Sequence, residues 1–303
     1  DIAELADIAS PEIGVITAIG PAHLSTFGSI NGVIQGKGEL LESLPSTGFA
    51  VLPGDDPVLR QMADRAPCPV IFVGEGDDNH LRASRVHASF QGLQFRVDGV
   101  DFLIPVCGRH HLTNALCAIA IASEIGVRLP SVAQGLACFE PIEGRTRLKE
   151  IGPWTVIDDT YNASPLAVAA ACRMLPDLEV PGIGRRILVL GDMRELGDTA
   201  AIEHQRIGEL AAQQKIDLVL ACGQHADDVA RGAESAGMSQ HCIAAGPDLE
   251  SIKAVLDCWL EPGDVILVKG SRVTRMERIV EWIAERAALE AALRGDYRQR
   301  NCA

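Results

Sequence analysis

The stretch Ile157-Asp158-Asp159-Thr160-Tyr161-Asn162-Ala163-Ser164-Pro165 takes an apolar strand directly into two carboxylates, a tyrosine, an asparagine and the start of a helix. Ser164 suits the N-cap of that helix and Pro165 its first position, and apolar residues follow at helical spacing. Polar groups at the carboxyl end of a strand, in front of a helix N-terminus, lie where open α/β sheets bind phosphorylated ligands. The same residues are equally compatible with a capping loop that carries solvated aspartates.

Around and after this stretch, short apolar segments alternate with helical ones, which predicts a Rossmann-like, doubly wound parallel sheet. The expected strands are 155–158, 186–190, 217–222, 241–244 and 264–268. The expected helices are 165–175, 200–214, 226–236, 249–259 and a last one from about 275 to 294, before a loose tail. After the final strand, Lys269-Gly270-Ser271-Arg272 could hold a carboxylate or a phosphate, and a basic loop at a helix start is the alternative.

The first half of the chain also reads as α/β, with a different second part. Apolar strands at 13–19, 49–52 and 69–74, with a helical segment at 56–66, predict a parallel sheet. From 81 to 106 the hydrophobic period changes to two, with breaks near 91–92 and 98–99, which predicts an appended antiparallel meander. Two apolar helices follow, and the irregular, mixed-charge stretch 141–147 is where we place a domain boundary, giving domains 1–146 and 147–303.

The composition of the chain limits the classes of binding partner and the cellular compartment that we expect. The 303 residues carry 27 Lys plus Arg against 41 Asp plus Glu, a formal charge of −14, which disfavours nucleic acid and anionic membranes as partners. Nine cysteines without a Cys-x-x-Cys pair fit reduced thiols in a cytoplasmic protein better than a disulfide framework or a zinc site. With no apolar run of membrane-spanning length and no signal peptide at its start, the sequence predicts a cytoplasmic protein, which we expect to be a monomer.

Two residues of the first half, His23 and Lys37, are candidate site residues only if other motifs support them. His23 follows the first strand, and Lys37 lies in the middle of the next helix. A single histidine and a single lysine in such positions are more often a surface histidine and a solvated lysine.

Taken in order, the motifs of this chain resemble those of the Mur ligase family, over essentially the whole sequence. The motifs that carry the resemblance are Ile16-Thr17-Ala18-Ile19-Gly20-Pro21-Ala22-His23-Leu24, Lys37-Gly38-Glu39-Leu40, Gly108-Arg109-His110-His111 with Asn114-Ala115, Asp158 to Pro165, Gly191-Asp192-Met193-Arg194-Glu195-Leu196-Gly197, His204, and Val268-Lys269-Gly270-Ser271-Arg272. Tyr-Asn-Ala, Gly-Asp-Met-x-Glu-Leu-Gly and Lys-Gly-Ser-Arg are the specific part, because they resemble the dipeptide-adding branch of the family.

The resemblance implies an ATP-dependent ligase that joins D-alanyl-D-alanine to a UDP-N-acetylmuramoyl-tripeptide through an acyl phosphate, in peptidoglycan precursor synthesis. Its fold would be a Mur ligase central domain, present in part, followed by the Rossmann-like C-terminal domain. The roles that it implies are Mg²⁺ binding for His23, carbamylation and metal binding for Lys37, adenine contact for Asn114 with His110, phosphate contact for Arg145, ribose contact for Asp159 with Tyr161 and Asn162 on the same lip, and a substrate face of Lys269, Ser271 and Arg272.

Departures from the family pattern leave alternatives open. His111 stands where the family usually has asparagine, and the chain contains no Gly-x-x-x-x-Gly-Lys-Ser/Thr phosphate-binding loop. We expect that the chain starts inside the central domain of a longer ligase and that residues 1–303 alone are inactive. A non-enzymatic binding or regulatory remnant, and a sister ligase that adds another amino acid, are the alternatives.

Overall fold

The structure, a computed structural model, describes residues 2–21, 24–178 and 184–301. The chain divides into two compact units, Asp1–Glu140 and Pro141–Ala303. The domain boundary after residue 146 stays a prediction. None of the described helices combines the length and the apolar character needed to cross a membrane.

The first unit contains six strands in one sheet, in the order β1-β2-β3-β4-β5-β6. Neighbouring strands are parallel from β1 to β4 and antiparallel from β4 to β6, which confirms the parallel sheet with an appended meander. Its elements are α1 (Ile2–Ala9), β1 (Ile13–Val15), α2 (Leu24–Phe27), α3 (Ile30–Glu42), β2 (Phe49–Pro53), α4 (Pro57–Met62), β3 (Val70–Gly74), β4 (Leu81–Ser89), β5 (Gly92–Val97), β6 (Val100–Ile104), α5 (His111–Glu124) and α6 (Leu129–Ala137).

Both faces of the parallel strands are covered, as the continuous apolar runs predict. In β2, Val51 packs into the cluster that includes Leu116 and Ile119 of α5. Ala50 and Leu52, on the opposite face, pack with Leu41 of α3 and Leu59 of α4. Side chains alternate across a strand, so two helical layers share the sheet between them.

The first strand is shorter than the sequence predicts, since β1 ends at Val15 and not at Ile19. The amide of Ile16 still donates to the carbonyl of Val51 at 3.4 Å, and pairing with β2 stops there. Beyond that point the carbonyl of Ala18 accepts a hydrogen bond from Lys37 Nζ at 2.8 Å. The carbonyl of Ala18, which was expected to pair with β2, is therefore bonded by the side chain of Lys37.

The second unit is a six-stranded sheet in the order β11-β10-β9-β12-β8-β7, with five parallel strands and an antiparallel edge. It confirms the expected alternation of strands and helices. Its elements are β7 (Arg147–Ile151), β8 (Trp154–Asp159), α7 (Pro165–Asp177), β9 (Arg186–Gly191), α8 (Ala200–Gln213), β10 (Leu218–Cys222), α9 (Ala226–Ser235), β11 (Ile243–Gly246), α10 (Leu249–Trp259), β12 (Val265–Lys269) and α11 (Glu277–Asn301).

Two elements of this unit differ from the sequence prediction. The edge strand β7 was not expected, because Arg-Leu-Lys-Glu-Ile is short and half charged; it pairs with β8 through a turn at Gly152, whose φ is +60°. The last helix begins at Glu277 and not at Arg275, because Arg275 has a left-handed backbone with φ of +52° that a helix cannot include. It also continues to Asn301, past the expected end.

Candidate functional site

The sheet register brings the ends of β8 and β12 together. Lys269 is the register partner of Asp159, and its Nζ donates to Asp159 Oδ2 at 2.5 Å and to the carbonyl of Asn162 at 2.9 Å. The other oxygen of Asp159 accepts from the amide of Thr146 at 3.2 Å. Only 2% of Lys269 is exposed. Asp159, which was expected to bind ribose, and Lys269, which was expected to bind the substrate, thus form one internal ion pair. The contacts of these two residues with ligands stay predictions.

Asp158 forms a second buried network in the same unit. Its Oδ1 accepts from the hydroxyl of Thr160 at 2.7 Å, and its Oδ2 accepts from Lys149 Nζ at 2.8 Å. Lys149 lies on β7, and because the sequence did not predict that strand, it did not predict this partner either. The adjacent residues Asp158 and Asp159 therefore each form an ion pair with a different lysine.

The ring of Tyr161 lies next to two other candidate site residues, Arg145 and Arg272. The guanidinium carbon of Arg145 lies 4.1 Å from the centre of the tyrosine ring, and that of Arg272 lies 5.9 Å from it. The ring is 44% exposed, and both arginines are exposed as well. Asn162, next along the chain, is exposed and accepts from the amide of Ala163 through its own Oδ1 at 2.9 Å. We call the surface formed by Arg145, Tyr161 and Arg272 the tyrosine lip. Because two cations lie against one aromatic ring, this lip is a positive, planar surface that suits an anionic ligand.

A cavity of about 260 Å³ opens beside this lip. Its lining combines the Asp158 network, the tyrosine lip and the start of the last helix. The lining residues are Glu143, Gly144, Lys149, Asp158, Thr160, Tyr161, Arg272, Glu277, Val280 and Glu281. Its four glutamates and aspartates outnumber its two cations, so the cavity complements positive charge better than the lip does.

Ser271, expected on the substrate face, is buried with 3% exposure. Its Oγ accepts from the amide of Arg194 at 2.9 Å and donates to the carbonyl of Ala163 at 3.4 Å. The hydroxyl thus joins the segments that follow β12, β9 and β8. Of the three residues expected on that face, Arg272 alone is exposed.

His204 has a fixed tautomer in this unit. Its Nε2 accepts from the amide of Met193 at 2.9 Å, so Nδ1 carries the proton that is donated to the carbonyl of Ala200 at 2.7 Å. Burial lowers the pKa of His204 from its usual value of 6.5, although the carbonyl of Ala200 and the carboxylate of Asp192 act in the opposite direction. The neutral ring is therefore the form that the fold holds.

We expect acid to destabilise the second unit through His204. In the unfolded chain the ring takes up a proton near pH 6.5, and in the folded chain only at lower pH, so this contribution is complete above about pH 6.5 and is lost as the pH falls towards the folded pKa. Urea unfolding at pH 7.5 and 5.5 should show a larger decrease for the parent chain than for His204→Gln. Equal decreases in both chains would contradict the assignment.

The first unit carries the remaining candidates. Lys37 is half-buried on α3, and burial lowers the pKa of its ammonium from the usual value of 10.5. His110 precedes α5 and stacks obliquely on His111, with ring centres 4.2 Å apart, while Asn114 is exposed in the first turn of that helix. His23 lies outside the described residues. Within the described part of the chain, no three His, Cys, Asp or Glu side chains form a group that could hold a metal ion.

Comparison with known proteins assigns both units. The model of the Mur ligase middle domain matches residues 1–122, and that of the Mur ligase glutamate ligase domain matches residues 144–272. The chain belongs to the Mur ligase family. Each matched range falls within one of the two compact units of this Mur ligase chain.

Among curated Mur ligases, two relatives illustrate the similarity. The UDP-N-acetylmuramoyl-tripeptide–D-alanyl-D-alanine ligase of Bacillus subtilis (strain 168) is 32% identical over 284 residues, which cover 93% of this chain and 61% of the relative. The enzyme of the same name from Escherichia coli (strain K12) is 30% identical over 292 residues, which cover 94% of this chain and 63% of the relative. The chain thus spans about three fifths of the length of these relatives.

Solved Mur ligase structures have the same fold. MurF from Acinetobacter baumannii superposes with a TM-score of 0.83 at 27% identity, covering 94% of this chain and 62% of the other. The MurF ligase from Thermotoga maritima, solved in complex with ADP, gives a TM-score of 0.82 at 26% identity, covering 95% of this chain and 65% of the other. The family and the fold expected from the motifs are both confirmed.

Proposed function

We propose that the protein to which this chain belongs is an ATP-dependent ligase that forms an amide bond between a UDP-N-acetylmuramoyl-tripeptide and D-alanyl-D-alanine. The observation that carries this proposal is the similarity, over 93% of the chain, to curated ligases of that name. A role in peptidoglycan precursor synthesis, a cytoplasmic location and a monomeric state belong to the same proposal.

In this proposal Arg145 and Tyr161 contact the nucleotide, and Arg272, whose guanidinium carbon lies 5.9 Å from the centre of the Tyr161 ring, belongs to the substrate face. The stacking of Arg145 on the Tyr161 ring at 4.1 Å holds its guanidinium at the surface, where it can contact phosphate oxygens. Asp159 and Asn162 belong to the same turn, and the Lys269 ion pair fixes the backbone of that turn. The ADP complex of the Thermotoga maritima relative supports a nucleotide ligand for this fold.

Asn114 and His110 are the proposed adenine contacts in the first unit. Both lie at the start of α5, where the exposed Asn114 amide can donate to and accept from a heterocycle edge. Their position after the meander supports the assignment without depending on the second unit.

Lys37 is the proposed site of carbamylation by carbon dioxide. Only an unprotonated amine reacts with carbon dioxide, and the lowered pKa of Lys37 increases the share of that form near neutral pH. The product is an anion that, with His23, would contribute ligands to Mg²⁺; magnesium when bound neutralises phosphate oxygens in such reactions. Lys37 is the one described member of that pair, so we base no reaction step on the metal.

The experiment that tests the proposal is phosphate release by the full-length protein. We expect release from ATP only when both the nucleotide tripeptide and D-alanyl-D-alanine are present, with the amide product detected by mass spectrometry. Turnover with a single amino acid in place of the dipeptide would indicate a sister ligase. Absence of turnover with every amine tested, alongside retained nucleotide binding, would indicate a non-enzymatic remnant.

A further inference from the structure

The middle of α3 carries Lys37 between two glycines, Gly36 and Gly38. After proline, glycine is the least favourable residue in a helix interior, so the helix is intrinsically weakest at the residue that is proposed to carry the carbamate. Both glycines are buried. Contacts from outside the helix therefore have to hold this turn in place.

The apolar anchors of α3 lie one turn away from Lys37 on either side. Val33 and Leu41, four residues before and after Lys37, share its side of the helix and are buried. Lys37 interrupts this apolar stripe and donates from Nζ to the carbonyl of Ala18 at 2.8 Å. The turn that carries the amine thus depends on contacts at the other sides of the helix.

Arg65, at the end of a short 3₁₀ turn after α4, makes one of these contacts. Its Nη1 donates to the carbonyl of Ile34 at 3.2 Å, and its Nη2 donates to the carbonyl of Gln35 at 3.3 Å. Its Nε donates to the carboxylate of Glu42 at 2.9 Å. The side chain of Arg65 is 21% exposed. One guanidinium group therefore joins the turn before Lys37 to the turn after it.

The two glycines beside Lys37 make room for contacts on both flanks of the helix. A Cβ atom at Gly38 would collide with Nη1 of Arg65, and a Cβ atom at Gly36 would collide with the ring of Phe27. Successive residues of an α-helix are rotated by about 100° around its axis, so these two contacts flank the side that carries Lys37. A guanidinium group on one flank and an aromatic ring on the other thus resist rotation of α3.

Rotation of α3 matters because the amine of Lys37 has one defined place. A turn of the helix about its axis would carry the lysine away from the carbonyl of Ala18, to which it is bonded. A displacement of only about 1 Å at a catalytic site can lower a rate about a hundredfold. Residues that fix the rotation of α3 therefore act on the reaction without contacting a ligand.

We propose that Arg65, with the ring of Phe27 on the opposite flank, is a positioning residue for Lys37. It keeps the amine, and the carbamate formed on it, beside the carbonyl of Ala18. This inference rests on the proposed function and adds a residue that lies outside the motifs of the family resemblance. Arg65 contacts no ligand in this role and takes part in no bond-forming step.

Arg65→Met in the full-length protein tests the proposal, because methionine keeps an unbranched side chain and removes every donor. We expect kcat to fall about tenfold or more, while the KM values for ATP and for D-alanyl-D-alanine stay within about twofold. Carbon NMR in isotope-labelled bicarbonate gives a readout without turnover. The carbamate resonance, identified by its loss in Lys37→Ala, should be weaker or shifted in Arg65→Met.

Acetate rescue separates positioning from general disruption. In Lys37→Ala the rescuing carboxylate is not attached to α3, so the added change Arg65→Met should alter the rescued rate by less than about twofold. An equal decrease with and without Lys37 would overturn the proposal. Gly38→Ala is a second variant, since it favours the helix but takes the space of the Arg65 guanidinium. It should lower kcat as Arg65→Met does.

Arg60→Met is the matched control. Arg60 is also half-buried in the first unit, donates to the carbonyl of Gly54 at 2.8 Å and lies 4.5 Å from the centre of the Phe72 ring. This variant should lower the Tm and leave both kcat and the carbamate resonance unchanged. Equal losses of kcat in Arg60→Met and Arg65→Met would overturn the proposal, as would a parent-like kcat and resonance in Arg65→Met. A parent protein without the resonance would instead refute the proposed carbamylation itself.

Discussion

Replacing Lys37 by alanine in the full-length protein is expected to lower kcat by about a hundredfold or more, the size of effect seen when one group that stabilises developing charge is removed. Lys37 is half-buried and donates to the carbonyl of Ala18 at 2.8 Å, so its amine has a defined place beside the segment that follows β1. The measurement is the steady-state rate of ADP formation at saturating concentrations of all three substrates.

The carbamate assignment makes a second, more specific prediction for the same site. Acetate or formate should restore part of the activity of Lys37→Ala, because a small carboxylate can take the place of the carbamate, whereas chloride at equal ionic strength should not. Lys37→Arg is the matched control: its guanidinium fills the site, stays protonated and cannot form a carbamate, so neither salt should rescue it. Full activity of Lys37→Ala would return this residue to the class of solvated lysines.

Replacing Lys269 by methionine is expected to lower the free energy of unfolding of the second unit by about 3 kcal/mol, because it leaves the carboxylate of Asp159 without its buried partner. The pair is closed, with 3% of the lysine side chain and 14% of the aspartate side chain exposed. Trp154, Trp259 and Trp282 all lie in this unit and are the only three tryptophans of the chain. Tryptophan fluorescence during urea unfolding therefore reports on this unit alone.

Two further variants separate the ion pair from general disruption. The double variant Lys269→Met with Asp159→Asn should regain part of the stability, since no unpaired charge remains. Lys253→Met removes a pair with Glu250, whose side chain is 72% exposed, and should cost less than about 1 kcal/mol. If Lys269→Met costs no more than Lys253→Met, the ion pair is not what holds the turn after β8.

The sequence predicts most of the fold because its strands are buried on both faces and its helices have clear ends. Ser164 and Pro165 start α7 as expected, with the Ser164 hydroxyl accepting from the amide of Ala167 at 3.4 Å. Prediction fails where that signal is weak: β7 is short and charged, and an edge strand of this kind depends on the partner it pairs with.

The candidate site shows a different division. Motif resemblance identifies Arg145, Tyr161 and Arg272 as site residues, and the structure brings all three to one lip. The motif resemblance does not show which polar side chains are buried and hydrogen-bonded within the fold. Lys269 and Ser271 are as polar as Arg272 in the sequence, yet both are buried and bonded to neighbouring strands.

By itself, the sequence determined the family, the alternation of strands and helices and the turn at Asp158 to Pro165, because these depend on local pattern and on residue types at fixed spacing. Only the tertiary structure decided that Asp159 faces Lys269 and that Asp158 faces Lys149. Those facts depend on strand order and register, which place Asp159 beside Lys269, 110 positions away, and Asp158 beside Lys149, nine positions away. A polar side chain acquires its role from the partner that this register supplies.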